Sequence, residues 1–327
     1  MLNRPTARTP RTLQRTTTRA SGKNEPQFGR VLFRLPWFLA PAEAQVGLIA
    51  APTPPSPPPV PPATTEVSAF DSPILSIAGG GRYFFWYLGV MKYLLDYFDL
   101  TKVTLIGASA GGLVAVLSAC NVNLDRAVRE AYRLSVENDV FTRPAGLAGI
   151  WGEIIREWLD ELLPENAQEL CANGRVKLVV TEALTLRLRY IDDFSDRDDL
   201  IAALRCTIHI PWFLDGAATR QYRGKRYIDG SLFDFILGTN SDLINCGGAA
   251  TVVDYFFDDT LEFDRLDFVR LSSYEDVKAL VKKGYAYAER TDAEGRWDEK
   301  LGAVRKGALR LAVEYPTRLL NRALAEA

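Results

Sequence analysis

Residues 107–111 read Gly-Ala-Ser-Ala-Gly, a serine flanked two positions away on each side by glycine. That is the form of a nucleophile elbow, in which the serine sits on a tight strand-to-helix turn with Oγ exposed at the top of a sheet. The plainer alternative is a glycine-rich packing turn with an incidental serine. Upstream, Gly79-Gly80-Gly81-Arg82 also falls between an apolar run and a helical one. Backbone N–H groups there, unshielded by side chains, can converge on the oxyanion of a tetrahedral intermediate. A dinucleotide pyrophosphate loop is the other reading, but Phe84 stands where its third glycine belongs. A serine nucleophile needs a base, and the chain has one histidine, His209, between Ile208 and Ile210 and just before Pro211. It reads as a satisfied, packed side chain. The other candidate is Asp229, in Arg226-Tyr227-Ile228-Asp229-Gly230. Asp-Gly is most often a turn. The carboxyl end of a strand in an α/β sheet is also where sites form.

These residues need a scaffold that delivers them to one place. The 18 residues from Val103 to Cys120 carry no charge, which raises the question of a membrane span of roughly 20 residues. The run divides instead into a β-branched half and a small, leucine-rich half with the glycines at the joint, so it predicts strand, elbow, helix. Further strands are expected at 74–78, 176–181, 226–228 and 251–258. Helices are expected at 86–98, 112–119, 197–206 and 272–289, with an amphipathic stretch at 151–163. Strands alternating with helices imply the α/β class, a mainly parallel sheet covered on both faces.

The chain has 327 residues and a net charge of −2. With no basic stripe in its middle, a nucleic-acid surface is not expected. Cys120, Cys171, Cys206 and Cys246 form no CxxC pair, so they read as buried thiols in a reducing compartment rather than as zinc ligands or a disulfide framework. Residues 1–24 hold five arginines, one lysine, many threonines and no acid. That is the composition of an organelle transit peptide, plastid before mitochondrion, with a basic tail as the alternative. Eight prolines in residues 52–62 favour a stiff polyproline II linker. The expected organisation is therefore an N-terminal region, 1–67, and a domain, 68–327. Within that domain the motifs occupy 74–240 and a helical part 260–327. The tail 299–327 mixes apolar residues with Arg305, Lys306, Arg310, Arg318 and Arg322; it reads as a closing helix or a membrane-surface helix.

The glycine loop Gly79-Gly80-Gly81-Arg82, the elbow around Ser109 and Asp229-Gly230, in that order, resemble the patatin-like phospholipase family. Residues 158–170, 194–204, the Ile210-Pro211 pair and 223–231 resemble its adiponutrin and adipose triglyceride lipase branch. The likeness covers about residues 72 to 240. It implies a three-layer α/β/α domain and a Ser109–Asp229 dyad that works without histidine. It further implies an oxyanion hole at Gly79, Gly80 and Gly81, no cofactor and no metal. The implied partner is an acyl lipid at a membrane or lipid-droplet surface: phospholipid, galactolipid or neutral glycerolipid. Burial should raise the Asp229 pKa to suit a base. A transacylase, or an inactive lipid-surface scaffold, is the competing expectation. Two positions depart from the pattern. Phe84 replaces the last glycine of the loop, and Ser231 follows Asp229-Gly230 where glycine or alanine is usual.

Overall fold

The computed structural model describes residues 72–237, 240–261, 271–307 and Leu311. The transit peptide, the proline run and most of the tail lie outside the described residues. Strand β1 (Ile74–Ile77) leads through a 3₁₀ turn at Gly81–Tyr83 into helix α1 (Phe84–Tyr97). Then come β2 (Thr104–Ala108), α2 (Ala110–Ala119), α3 (Leu124–Glu137), α4 (Trp151–Leu162) and α5 (Ala167–Cys171). They are followed by β3 (Val176–Glu182), β4 (Arg187–Ile191), α6 (Arg197–Thr207), β5 (Arg220–Tyr222) and β6 (Lys225–Asp229). The described chain closes with α7 (Leu232–Leu237), α8 (Asp242–Asn245), β7 (Thr251–Val253), α9 (Tyr274–Ala293) and α10 (Asp298–Leu301).

The uncharged run is strand, elbow and buried helix: every residue of β2 and α2 is buried. No helix among the described residues is long and apolar enough to cross a membrane. Strands β7, β1, β2 and β3 pair in parallel, in that spatial order. Strand β4 runs antiparallel to β3, and β6 also joins β3 antiparallel, with β5 beyond it. Five of the seven strands therefore run one way.

Period-two alternation splits the sheet between two cores. Leu75, Ile77, Leu105, Leu178 and Val180 face the larger one, shared with α1, α2, α3, α4 and α6. Ile74, Ile106, Ala108 and Val179 face the smaller one, which among the described residues is closed by Ile244 of α8 with Cys246 and Ala250. The three layers are thus unequal. Helix starts follow local chemistry. Asn123 caps α3 and Asp196 caps α6, and Ser273 with Asp276 forms a capping box on α9.

One expected strand is shorter than its apolar run. Residues 251–258 give only β7, because the Asp254 carboxylate accepts from the N–H of Phe256 at 3.0 Å and starts a 3₁₀ turn at Tyr255–Phe257. All four cysteines are free and buried. Cys120 and Cys171, 51 positions apart in the chain, meet with their sulfurs 3.9 Å apart.

Candidate active site

Ser109 joins β2 to α2 with φ 52° and ψ −126°, a conformation that L-residues avoid. The elbow around it is too tight for β-carbons: one on Gly107 would lie 2.4 Å from the Gly111 carbonyl oxygen, and one on Gly111 2.2 Å from that of Ile77. The Ser109 N–H donates to Thr207 Oγ1 at 3.0 Å, and that hydroxyl donates to the Val179 carbonyl at 2.5 Å. Thr207 therefore pins the back of the turn to the central strand β3.

Strand register explains how Asp229 arrives. Ala108, the last residue of β2, pairs with Val179; Asp229, the last of β6, pairs with Val180. Val179 and Val180 both pair with β4 on their other edge. So β2 and β6 lie end to end along one edge of β3, running towards each other. Ser109 and Asp229, 120 positions apart, meet where the strands abut. The Ser109 hydroxyl donates to Asp229 Oδ2 at 2.7 Å. The other oxygen, Oδ1, accepts from the Ser231 N–H at 2.7 Å and the Ser231 hydroxyl at 2.8 Å. Thr181 Oγ1 donates to the Asp229 carbonyl at 3.0 Å. The carboxylate is 2% exposed. Burial pushes its pKa up to about 6, against the bonds from Ser109 and Ser231, which favour the charged form.

The glycine loop follows β1 and runs alongside. Gly79, Gly80 and Gly81 line one cavity of about 470 Å³ with Ser109, Asp229 and Ser231. A β-carbon on Gly79 would lie 2.0 Å from Ser231 Oγ and 3.3 Å from Ser109 Cβ, so the loop passes directly over the pair. No hydrogen bond among the described residues uses the N–H of Gly79, Gly80 or Gly81. Aromatic rings hold the loop from behind: the Tyr87 hydroxyl donates to the Gly79 carbonyl at 3.3 Å, and Tyr83 stacks on Tyr255 at 4.1 Å. Asp234, Asn240 and Asp254 stand on the same cavity wall. Burial raises the pKa of both Asp234 and Asp254.

His209 contributes backbone and packing. It is fully buried, its Nε2 lies 3.1 Å from the Ala217 carbonyl, and its own carbonyl accepts from the N–H of Asp229 at 2.8 Å. Burial lowers its pKa, which favours neutral imidazole. Phe84 opens α1 with its ring edge-on against Trp158 at 5.6 Å. Thr207 carries no sequence signal. Ser231 was visible only as a departure from the pattern, and nothing in the sequence links Asp254 to the cavity. Among the described residues no group of His, Cys, Asp or Glu is clustered to hold a metal ion.

A family model described as Patatin-like phospholipase matches residues 75–237, which contain the glycine loop, the elbow and Asp229. The chain is 29% identical over 166 residues to 1-acylglycerol-3-phosphate O-acyltransferase Pnpla3 of Mus musculus, covering 49% of this chain and 39% of that one. It is 26% identical over 160 residues to Omega-hydroxyceramide transacylase of Homo sapiens, covering 48% and 30%. It is 32% identical over 153 residues to Patatin-like phospholipase domain-containing protein 5 of Homo sapiens, covering 45% and 33%. The match therefore spans well under half the length of these relatives. A solved structure of VipD from Legionella pneumophila, 12% identical with a TM-score of 0.33 over 72% of this chain and 68% of that one, is too distant to bear on the site. With the motifs in order on a mostly parallel α/β sheet and the family model spanning all of them, the chain belongs to the patatin-like phospholipase family, whose members act on lipid esters as hydrolases or acyltransferases.

Proposed function

We propose that this chain is a serine lipid acyl hydrolase that cleaves fatty-acyl esters of glycerolipids. The observation that carries the reading is the 2.7 Å bond from the Ser109 hydroxyl to a buried carboxylate, on a strained elbow beside the glycine loop. Ser109 Oγ attacks the ester carbonyl while Asp229 takes its proton. The oxyanion is held by the N–H groups of Gly79, Gly80 and Gly81. The C–O bond of the alcohol breaks, the alcohol leaves with the proton from Asp229, and Ser109 carries the acyl group. Water then attacks that ester, giving its proton to Asp229. The acid departs, and the proton returns to Ser109.

The test compares the purified chain with its Ser109→Ala form on a mixed glycerolipid pool, followed by lipidomics, with a fluorophosphonate probe reading Ser109 directly. Loss of a lipid class and gain of its free acid by the native chain alone supports the reading. Equal labelling and equal lipid profiles of the two forms would sink it. A second reading, transacylation, has support in the names of two matched relatives, an acyltransferase and a transacylase. An acceptor alcohol then replaces water at the acyl-enzyme. Adding lysolipid or diacylglycerol to the same assay separates the two, since only a transacylase forms the larger product. The substrate is met at a membrane or lipid-droplet surface. The composition of residues 1–24 supports delivery to an organelle, plastid before mitochondrion, and residues 1–66 fused to a fluorescent reporter test that address.

A further inference from the structure

The side chain of Phe84 enters a second cavity, of about 150 Å³, that begins beside the nucleophile. Gly81 lines both cavities, and Ala110, the residue after Ser109, lines the second. From there the walls are Leu113 of α2, Val128 and Ala131 of α3, and Trp158 of α4. Arg82, Tyr132, Ser135 and Ser272 supply the few polar groups. The first cavity differs in chemistry: beside apolar walls such as Ile210, Leu232 and Phe256 it also carries Asp229, Asp234, Asn240 and Asp254. An ester held with its carbonyl at the glycine loop has two limbs. Its alcohol suits the cavity that carries the carboxylates, and its acyl chain the one lined almost wholly by apolar groups. Phe84 is 8% exposed, with its ring 5.6 Å from Trp158 and 5.2 Å from Phe85. A glycine at that position leaves the volume of the ring to the substrate.

We propose that Phe84 is a specificity-determining residue. Its ring occupies part of the acyl chamber and limits how much chain the chamber can bury, so the enzyme favours short to medium acyl groups. An apolar cavity of this size takes a group about as large as benzene, which corresponds to roughly six to eight carbons of acyl chain. Each further methylene that found apolar cover would be worth about fourfold; beyond that length the native chamber gives no such return. The inference rests on the hydrolase reading for its kinetic form and on the cavity alone for its binding form.

The experiment measures kcat/KM for p-nitrophenyl esters from two to sixteen carbons. It uses the native chain, Phe84→Leu, Phe84→Ala and Ala131→Phe, each checked by thermal melt. The expected native optimum is at or below about eight carbons. Phe84→Ala should raise the ratio of fourteen-carbon to six-carbon turnover by about fifteenfold or more, being worth two or more methylenes. Phe84→Leu should fall between, and Ala131→Phe should shift the optimum shorter. In parallel, calorimetry on the Ser109→Ala chain reads affinity for free fatty acids of the same lengths, with and without Phe84→Ala. Affinity should stop rising near eight carbons with Phe84 and keep rising without it. Length profiles indifferent to residue 84 in folded variants overturn the proposal. Absence of all Ser109-dependent hydrolysis is instead a failure of the hydrolase reading, and the calorimetry then decides the chamber by itself.

Discussion

At the scale of the residue, the proposed chemistry turns on one buried carboxylate with two different oxygens. Asp229 Oδ2 faces Ser109 while Oδ1 is held twice by Ser231. The folded pKa of about 6 lies above the reference value of 3.8. Folding therefore favours the protonated form: the stability this group contributes is full below about pH 4 and lost as pH rises through about 6. The proposed mechanism needs the opposite form, so kcat/KM should climb with pH through about 6. Asp229→Asn keeps the shape and removes the buried charge. It should abolish most turnover while raising stability at pH 8 by about 1–3 kcal/mol, read as a higher melting temperature. His209→Gln should cost at most a modest factor, against a loss on the order of 10² to 10⁴ for Asp229→Asn. Large loss in the histidine variant with a near-normal asparagine variant would reverse the assignment of the base. Ser231→Ala removes a donor that favours the carboxylate. The acid limb of the pH profile should then move upward; a fall in kcat with an unmoved limb would mean that Ser231 only orients the group.

At the scale of the element, the strained backbone at Ser109 is itself measurable. A residue with φ 52° and ψ −126° costs roughly 1–3 kcal/mol unless it is glycine. Ser109→Gly and Ser109→Ala both lack the nucleophile, but only the first relieves the strain. Its melting temperature should exceed that of Ser109→Ala; an equal or lower value would show the elbow to be relaxed. The elbow was legible in the sequence because its requirements are local: a β-branched run, glycines at fixed offsets, then small residues of a helix. The meeting of Ser109 with Asp229 was reached only through family likeness. It depends on β2 and β6 sharing one edge of β3, and a register across 120 residues leaves no local trace. Strand β4 escaped notice for another reason. Arg187, Arg189 and the exposed side of this edge strand break the apolar pattern that marks buried strands. At 251–258 the apolar run overstated the strand, because Asp254 starts a turn that composition does not announce.

At the scale of the whole molecule, the family match ends at residue 237, yet the fold does not. Helix α9 lies against α1 so closely that each presents a glycine to the other's backbone. A β-carbon on Gly89 would sit 2.0 Å from the Val281 carbonyl oxygen, and one on Gly284 1.9 Å from that of Trp86. Trp86 Nε1 and Arg290 both donate to the buried carboxylate of Asp258, which ties the two helices through the loop after β7. Tyr93 and Arg305 converge on Asp292, and the Lys306 ammonium donates to the Leu95 carbonyl. Since α1 also carries Tyr87, whose hydroxyl holds the glycine loop from behind, support for the site reaches residues well past the motifs. Two truncations follow with opposite outcomes. A chain beginning at Glu66 loses the Arg/Thr-rich start, the mixed apolar stretch 28–50 and the proline run, and keeps every site motif. It should melt cooperatively and keep a specific activity near that of the full chain. A chain ending at residue 240 keeps every motif but uncovers α1 along its length. It should be insoluble or melt without a cooperative transition, and Gly284→Leu in the full chain should weaken folding in the same direction by several kcal/mol through overpacking. A soluble, active chain of residues 66–240 would show that α9 is an addition to the domain and not part of its core.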